Sequence, residues 1–301
     1  MAVRAVVVGS LVMDLAFKVD VRPGPGDVVI ASDFARFRGG KGYNHAVALA
    51  RMGAEVAMIG AVGSDAYGDA FMEALEREHI DASRVMQLRG TPTAVAVPLV
   101  TPDGSVGYVQ YPGANRLLAA AHCADLPDCD VLMLQGEVSA STSRYAARII
   151  RGRGGAVLLN PAPIDDLTDQ LLDVATVVSL NQYEARRLLQ VGSDVTGVEL
   201  ARRLYHDNCA AVVTMGSKGA AWCDEHGDGS AAPPPVNATD ITAAGASFNA
   251  ALAVSIAEGR SLEHAVRLAN AAAAYSSTVI GAEPSLPTRA QAEALLQTAP
   301  A

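Results

Sequence analysis

The sequence predicts an α/β fold built on a mostly parallel sheet. Short runs rich in β-branched and aliphatic residues recur along the chain, helical patterns separate them, and no Pro/Gly/Ser linker or charge run divides it. The apolar runs fall at residues 3–8, 56–59, 131–134, 156–159, 177–179 and 211–214, each continuous, as expected of strands covered on both faces. Between and after them, residues 45–52, 67–78, 141–151, 183–190, 198–208, 245–258 and 262–279 carry apolar side chains at helical spacing. A chain of 301 residues, half of them apolar, can bury a core without external staples, so residues 1–301 read as one domain. Segments 14–33 and 93–111 differ: apolar and polar residues alternate there between Gly and Pro turns, predicting a small accessory sheet with one solvated face that forms a lid.

Composition excludes several function classes. A formal net charge of -9 with scattered Lys and Arg argues against a nucleic-acid or anionic-membrane surface. The chain passes directly into its first apolar run, with neither the charged start of a signal peptide nor a stretch long enough to span a bilayer. Cys123, Cys129, Cys209 and Cys223 lack paired metal-ligand spacing and read as reduced thiols, so a cytoplasmic protein is expected.

Two glycine-containing segments carry the chemistry. Arg38-Gly39-Gly40-Lys41-Gly42-Tyr43-Asn44 precedes a helix; its glycines let backbone approach a ligand while Lys41 and Asn44 supply donors. It is not a Walker A loop, because Gly-Lys-Ser/Thr with the upstream glycine is missing. Asp240-Ile241-Thr242-Ala243-Ala244-Gly245-Ala246-Ser247-Phe248 is a run of mostly small residues leading into a long helix, whose exposed N-terminal amides at Ala244 and Gly245 would form an anion hole for a phosphoryl group. Between them lie Asn160, Asn181 with Glu184, and the stretch from Thr214 through Gly216 and Ser217 to Gly219, each just after an expected strand, where open α/β sheets place ligands.

In this order and spacing the motifs resemble the ribokinase-like (PfkB) carbohydrate kinase family over nearly the whole chain, from Gly9-Ser10-Leu11-Val12-Met13-Asp14 to Gly281-Ala282-Glu283-Pro284-Ser285-Leu286-Pro287. The family's first signature fits from Gly39 through Asn44 and Ala46 to Gly53 and Gly63. The resemblance implies a Rossmann-like ribokinase fold with a β-sheet lid, ATP-dependent phosphorylation of a hydroxymethyl group on a sugar or nucleoside, and a homodimer. It implies acceptor contacts from Asp14, Gly40, Lys41, Asn44 and Glu137, and nucleotide contacts from Asn181, Glu184, Thr214, Gly216, Ser217, Gly219 and Asn270. Mg²⁺ is then expected with the nucleotide. A K⁺-type site is implied at Asp240, Thr242, Ser276, Val279, Gly281 and Ser285.

The chain departs from the family in three places. The second signature ends in Gly-Asp, where the aspartate is the base; here Gly245-Ala246 stands there, and a methyl group accepts no proton. This chain is then either an active-site variant made to trap a complex or a natural relative that lost or replaced its base. A non-catalytic sensor or scaffold that binds the same ligands is the rival reading. Val12 stands where a polar residue often meets sugar hydroxyls. Tyr43 replaces a small residue, either stacking on the acceptor or covering the lid hinge.

Overall fold

The computed structural model describes residues 2–164, 168–207 and 209–299. In chain order the elements are β1 (Arg4–Val8), β2 (Val12–Lys18), β3 (Asp33–Gly39), α1 (Lys41–Arg51), β4 (Glu55–Gly63), α2 (Ala66–Arg77), β5 (Asp81–Leu88), β6 (Ala94–Val100) and β7 (Val106–Tyr111). They continue with β8 (Val131–Gln135), α3 (Ala140–Gly152), β9 (Ala156–Asn160), α4 (Asp169–Leu172), β10 (Val177–Asn181), α5 (Gln182–Leu189), α6 (Gly197–Leu204) and β11 (Ala210–Thr214). Last come β12 (Ala220–Asp224), β13 (Gly227–Ala231), α7 (Ala244–Ala257), α8 (Leu262–Ser276), α9 (Ala282–Ser285) and α10 (Arg289–Leu296).

Nine strands form the main sheet in the order β13-β12-β11-β10-β9-β8-β1-β4-β5. Every pairing from β11 to β5 is parallel, and only β12 and β13 run antiparallel at one edge. Alternation along each strand feeds two cores. Val7, Met58, Met133, Leu158 and Val212 pack with α1, α2, α7 and α8, whereas Val6, Val8, Leu132, Leu134, Val157, Leu159 and Val213 pack with α3 and α6 on the other face. This double burial is why the strands read as unbroken apolar runs rather than alternating ones.

A second sheet has the order β3-β2-β6-β7. The alternating texture at 14–33 and 93–111 located it but misjudged one strand. The first segment pairs through β2 and β3, so strand structure continues to Gly39, and the stretch between Lys18 and Asp33 connects them without pairing as a strand. Arg38 and Gly39, read as part of a turn, close the β2–β3 ladder opposite Met13 and Val12. The β12–β13 hairpin was not anticipated. The helix expected over 198–208 ends at Leu204, and its last residue, Asn208, lies outside the described residues. Among the described residues no helix is long and apolar enough to cross a membrane, and all four cysteines are free.

Helix starts show where ligands can bind. Asp65, Ser139, Asn181, Thr196, Ser261 and Thr288 cap their helices with side-chain oxygens, each a contribution of about 1 kcal/mol. By contrast, α1 and α7 begin without a side-chain cap. These two lie against each other and point their starts at the same edge of the main sheet, beside the carboxyl ends of β1, β8, β9, β10 and β11.

Candidate active site

The α1 start is already satisfied by protein. The Lys41 N–H donates to Glu137 Oε2 at 2.8 Å, the Gly42 N–H to Ser10 Oγ at 3.3 Å and the Tyr43 N–H to the Ser10 carbonyl at 2.9 Å, while the Ser10 hydroxyl also donates to Glu137. Gly40 reaches this turn at φ 87°, and a Cβ there would stand 2.8 Å from the Val12 nitrogen, which is why glycine precedes Lys41. The β1 end, the α1 start and the loop after β8 are thereby tied into one cradle.

Asp14, on β2 of the small sheet, leans over this cradle with its carboxylate against Gly39, where even a Cβ would come within 2.4 Å of Oδ2. Burial, and then the charge of Glu137, push the Asp14 carboxyl up to about 7. Such a raised pKa keeps the folded chain protonated between about pH 4 and pH 7 while the unfolded chain has ionised. Stability is therefore expected to fall as pH rises through that window and to level off above it. Asp14→Asn is expected to melt higher than the parent at pH 8, with the difference vanishing near pH 4; equal melting curves at both would contradict the assignment.

A cavity of about 140 Å³ opens beside the cradle, lined by Lys41, Asn44 and His45 from α1, Asn160, Asn181, Glu184 and Thr214 at the strand ends, and Thr242, Gly245, Ala246 and Asn249 around the α7 start. Asn181 and Glu184 are fixed by a reciprocal capping box, with Glu184 N–H to Asn181 Oδ1 at 2.8 Å and Asn181 N–H to Glu184 Oε2 at 2.9 Å. At the α7 start the Ala244 N–H is spent on the Ile241 carbonyl at 3.2 Å. The expected anion hole thus shifts by one residue. Among the described residues the Gly245 and Ala246 N–H groups meet no protein acceptor, and they are the amides free for an anion at the positive end of the helix dipole.

Other expectations divide. Gly216 (φ 62°) and Ser217 form an exposed turn after Thr214 that ends at Gly219, and Gly219 is packed so closely on Ala231 that a Cβ would lie 1.9 Å from its carbonyl oxygen. Asn270 is buried and its amide donates to the Ala231 carbonyl at 2.9 Å, so it props the end of β13 rather than lining the cavity. Asp240 draws the two halves of the expected cation site together: its Oδ1 takes Thr242 N–H at 2.9 Å and its Oδ2 takes Gly281 N–H at 2.8 Å. Ser276 and Ser285 meet hydroxyl to hydroxyl at 3.0 Å, and the Val279 N–H closes on the Ser276 carbonyl at 3.2 Å.

Tyr43 is not among the residues that line the cavity. Its side chain is fully buried, the ring set edge-on to Phe71 with centroids 5.0 Å apart and the hydroxyl donating to Glu283 Oε2 at 2.8 Å. Burial and then the Glu283 charge push the phenol up. Although burial alone would raise the Glu283 carboxyl, hydrogen bonds from Arg38 and Tyr43 hold it below its ordinary range. Tyr43 thus joins the base of the small sheet to α9. Sequence reasoning also missed His45 and Asn249 as cavity residues; the available signal was their place within the first two turns of the helices that follow the two glycine-containing segments.

The motifs, the strand-end site and the open α7 start can be compared with known proteins. A family model described as pfkB family carbohydrate kinase matches residues 3–289. The chain belongs to the PfkB carbohydrate kinase family. Among PfkB relatives, it is 33% identical over 294 residues to the ribokinase of Bacillus subtilis (strain 168), covering 96% of this chain and 98% of that protein. It is 32% identical over 303 residues to the ribokinase of Mus musculus, covering 95% and 92%. The solved ribokinase of Thermotoga maritima superposes with a TM-score of 0.87 at 30% identity, covering 98% of this chain and 99% of the other. The Arabidopsis thaliana ribokinase complexed with ribose and ATP gives 0.88 at 28% identity, covering 99% of each. The PfkB fold expected from the sequence, a Rossmann-like main sheet with a small separate sheet, is thus established.

Proposed function

We propose that this chain is an ATP-dependent small-molecule kinase that phosphorylates a hydroxymethyl group of a sugar or nucleoside, with Ala246 where the base belongs. The observation that carries the reading is the uncapped α7 start, whose Gly245 and Ala246 amides face a cavity bounded by Lys41 and Asn44 on one side and by Asn181 and Thr214 on the other. Asp14 and Glu137 bind acceptor hydroxyls as hydrogen-bond acceptors, and the small sheet that carries Asp14 closes over them as a lid. Lys41 and the two amides stabilise negative charge on the phosphoryl group as it passes between donor and acceptor. Thr214, Gly216 and Ser217 border the nucleotide. The family of carbohydrate kinases and the ribokinase relatives make ribose the first acceptor to test.

Among the described residues no cluster of three or more His, Cys, Asp or Glu side chains is arranged to hold a metal. The single carboxylate Glu184 beside Asn181 fits Mg²⁺ arriving on ATP, which would neutralise the phosphate charge. The convergence of Asp240, Thr242 and Gly281, near Ser276, Val279 and Ser285, is a donor set of oxygens that fits K⁺. Ala246 favours one second reading, a non-catalytic sensor or scaffold that binds both ligands.

Calorimetry with a non-hydrolysable ATP analogue and Mg²⁺ tests the reading. Saturable heat is expected with or without ribose, since Ala246 removes none of the proposed nucleotide contacts; no heat at millimolar analogue from folded protein would refute it.

A cytoplasmic homodimer belongs to the same proposal. β3 and β7 are the open edges of the small sheet, and Phe34, Phe37, Tyr108, Val109 and Tyr111 stand exposed on them. A second copy covering this surface would hide it. Sedimentation is expected to give twice the monomer mass at micromolar protein, and monomer alone at high concentration would contradict it.

A further inference from the structure

The small sheet has two faces, and its register sorts the side chains between them. Residues paired directly across a sheet share a face. Phe37, Asp14, Ala96 and Gln110 pair in one unbroken row across β3, β2, β6 and β7, so Phe37 and Gln110 stand on the side of Asp14, which is turned to the acceptor cradle. Two residues further along each strand, the pairs Ala16 with Ala35 and Pro98 with Tyr108 add Tyr108 to that side. Phe34, Val109 and Tyr111 alternate to the opposite face. Partial burial, and then the charges of Asp14 on its own sheet and Asp240 on the main domain, push the Tyr108 phenol up, although much of its ring stays open to solvent.

The face that carries Asp14 is a floor of small apolar side chains with an aromatic rim. Val12, Ala94 and Ala96 form one buried cluster beside Asp14, and Ala16 and Ala35 extend the floor. Phe37 stands at the β3 edge, and Tyr108 and Gln110 stand at the β7 edge. Phe37 and Tyr108 are 39% and 66% exposed. Phe34 on the far face meets the Phe17 ring at 4.9 Å, whereas among the described residues Phe37 and Tyr108 have no ring partner. A second sugar laid on this floor would bring hydroxyls that its alanines leave unpaired. A flat heterocycle suits it better, because its faces stack on aromatic rings and its polar edge can both give to and take from the Gln110 amide.

We propose that the preferred acceptor is a nucleoside rather than a free pentose, its base lying on the Ala16 and Ala96 floor between Phe37 and Tyr108 with Gln110 at its edge. This rests on the kinase reading above, which leaves sugar and nucleoside open. The ribose of the nucleoside occupies the cradle beside Asp14 and Glu137, and the 5′-hydroxymethyl group is the one phosphorylated. Ribose alone still fits the cradle but leaves the rim bare. A second copy of the chain can cover Phe34, Val109 and Tyr111 on the opposite face without displacing the base.

The test is calorimetric titration of inosine, uridine and ribose into the chain saturated with the non-hydrolysable ATP analogue and Mg²⁺, which closes the nucleotide site to them. At least one nucleoside is expected to bind about tenfold or more tighter than ribose. Phe37→Ala and Tyr108→Ala should each weaken that nucleoside roughly 5- to 100-fold, the span of one base–aromatic stack, and leave ribose unchanged, while Phe37→Tyr keeps the affinity. Ribose binding as tightly as both nucleosides, or equal losses for ribose and nucleoside in the variants, would overturn the proposal and leave the kinase reading standing. Variants that lose the dimer in sedimentation yet keep nucleoside affinity would assign the rim to a second copy and overturn it as well. No heat from any of the three acceptors or from the analogue would remove the proposal and the kinase reading together.

Discussion

Gly42→Ala is expected to cost about 3 kcal/mol, at the upper end of what overpacking does, and to lower the melting temperature by roughly 5–10 °C. A Cβ at Gly42 would lie 2.4 Å from the Ser10 nitrogen, 2.6 Å from the Gly9 carbonyl carbon and 2.6 Å from the Ser10 carbonyl oxygen. All three are backbone, so no side chain can swing aside. Moving the backbone would break the Tyr43 N–H bond to the Ser10 carbonyl and pull Lys41 N–H off Glu137, so acceptor binding should weaken together with stability. Gly152→Ala is the control: it also sits in a helix, nothing stands within 4 Å of its Cβ, and it should be neutral or slightly stabilising. Differential scanning fluorimetry on the two variants reads the contrast. Similar melting temperatures for both would mean that the β1–α1 junction is looser than its contacts imply.

The parallel strands were legible because burial on both faces leaves unbroken runs such as Ala5 to Val8, which no surface strand would carry. Gly40 and Gly42 were legible because close backbone approach leaves no room for a side chain there. Tyr43 was not. It neighbours Asn44 in sequence, but successive helical residues point about 100° apart, and the Glu283 that takes its hydroxyl lies 240 residues away. The β12–β13 hairpin was hidden by its composition, since Gly227 to Ala231 holds Gly, Asp and Ser and no β-branched residue. Ala244 was misread by one position because the turn that spends its amide on Ile241 depends on backbone angles that a run of small residues leaves open. His45 and Asn249 resemble ordinary core positions until α1 and α7 are seen side by side.

Placing a carboxylate at position 246 should produce the largest change of all. Ala246 lies in the first turn of α7, between Gly245 and the buried Ser247, and it lines the cavity that Lys41 and Asn44 border. An aspartate there is favoured by the helix dipole and is expected to take the proton of an acceptor hydroxyl. The nucleotide contacts proposed for Asn181, Thr214 and Gly216 are left alone. The effect should therefore appear in kcat, with ATP affinity nearly unchanged. The direct measurement is ADP release by the Ala246 and Ala246→Asp chains with ribose and ATP, using Lys41→Ala in each background to exclude contaminating ATPase. On the kinase reading, kcat rises by roughly 10²–10⁴-fold in the Ala246→Asp chain. Turnover that stays at background in both chains, while calorimetry shows both ligands bound, would contradict it and make this protein a binding relative of the kinases.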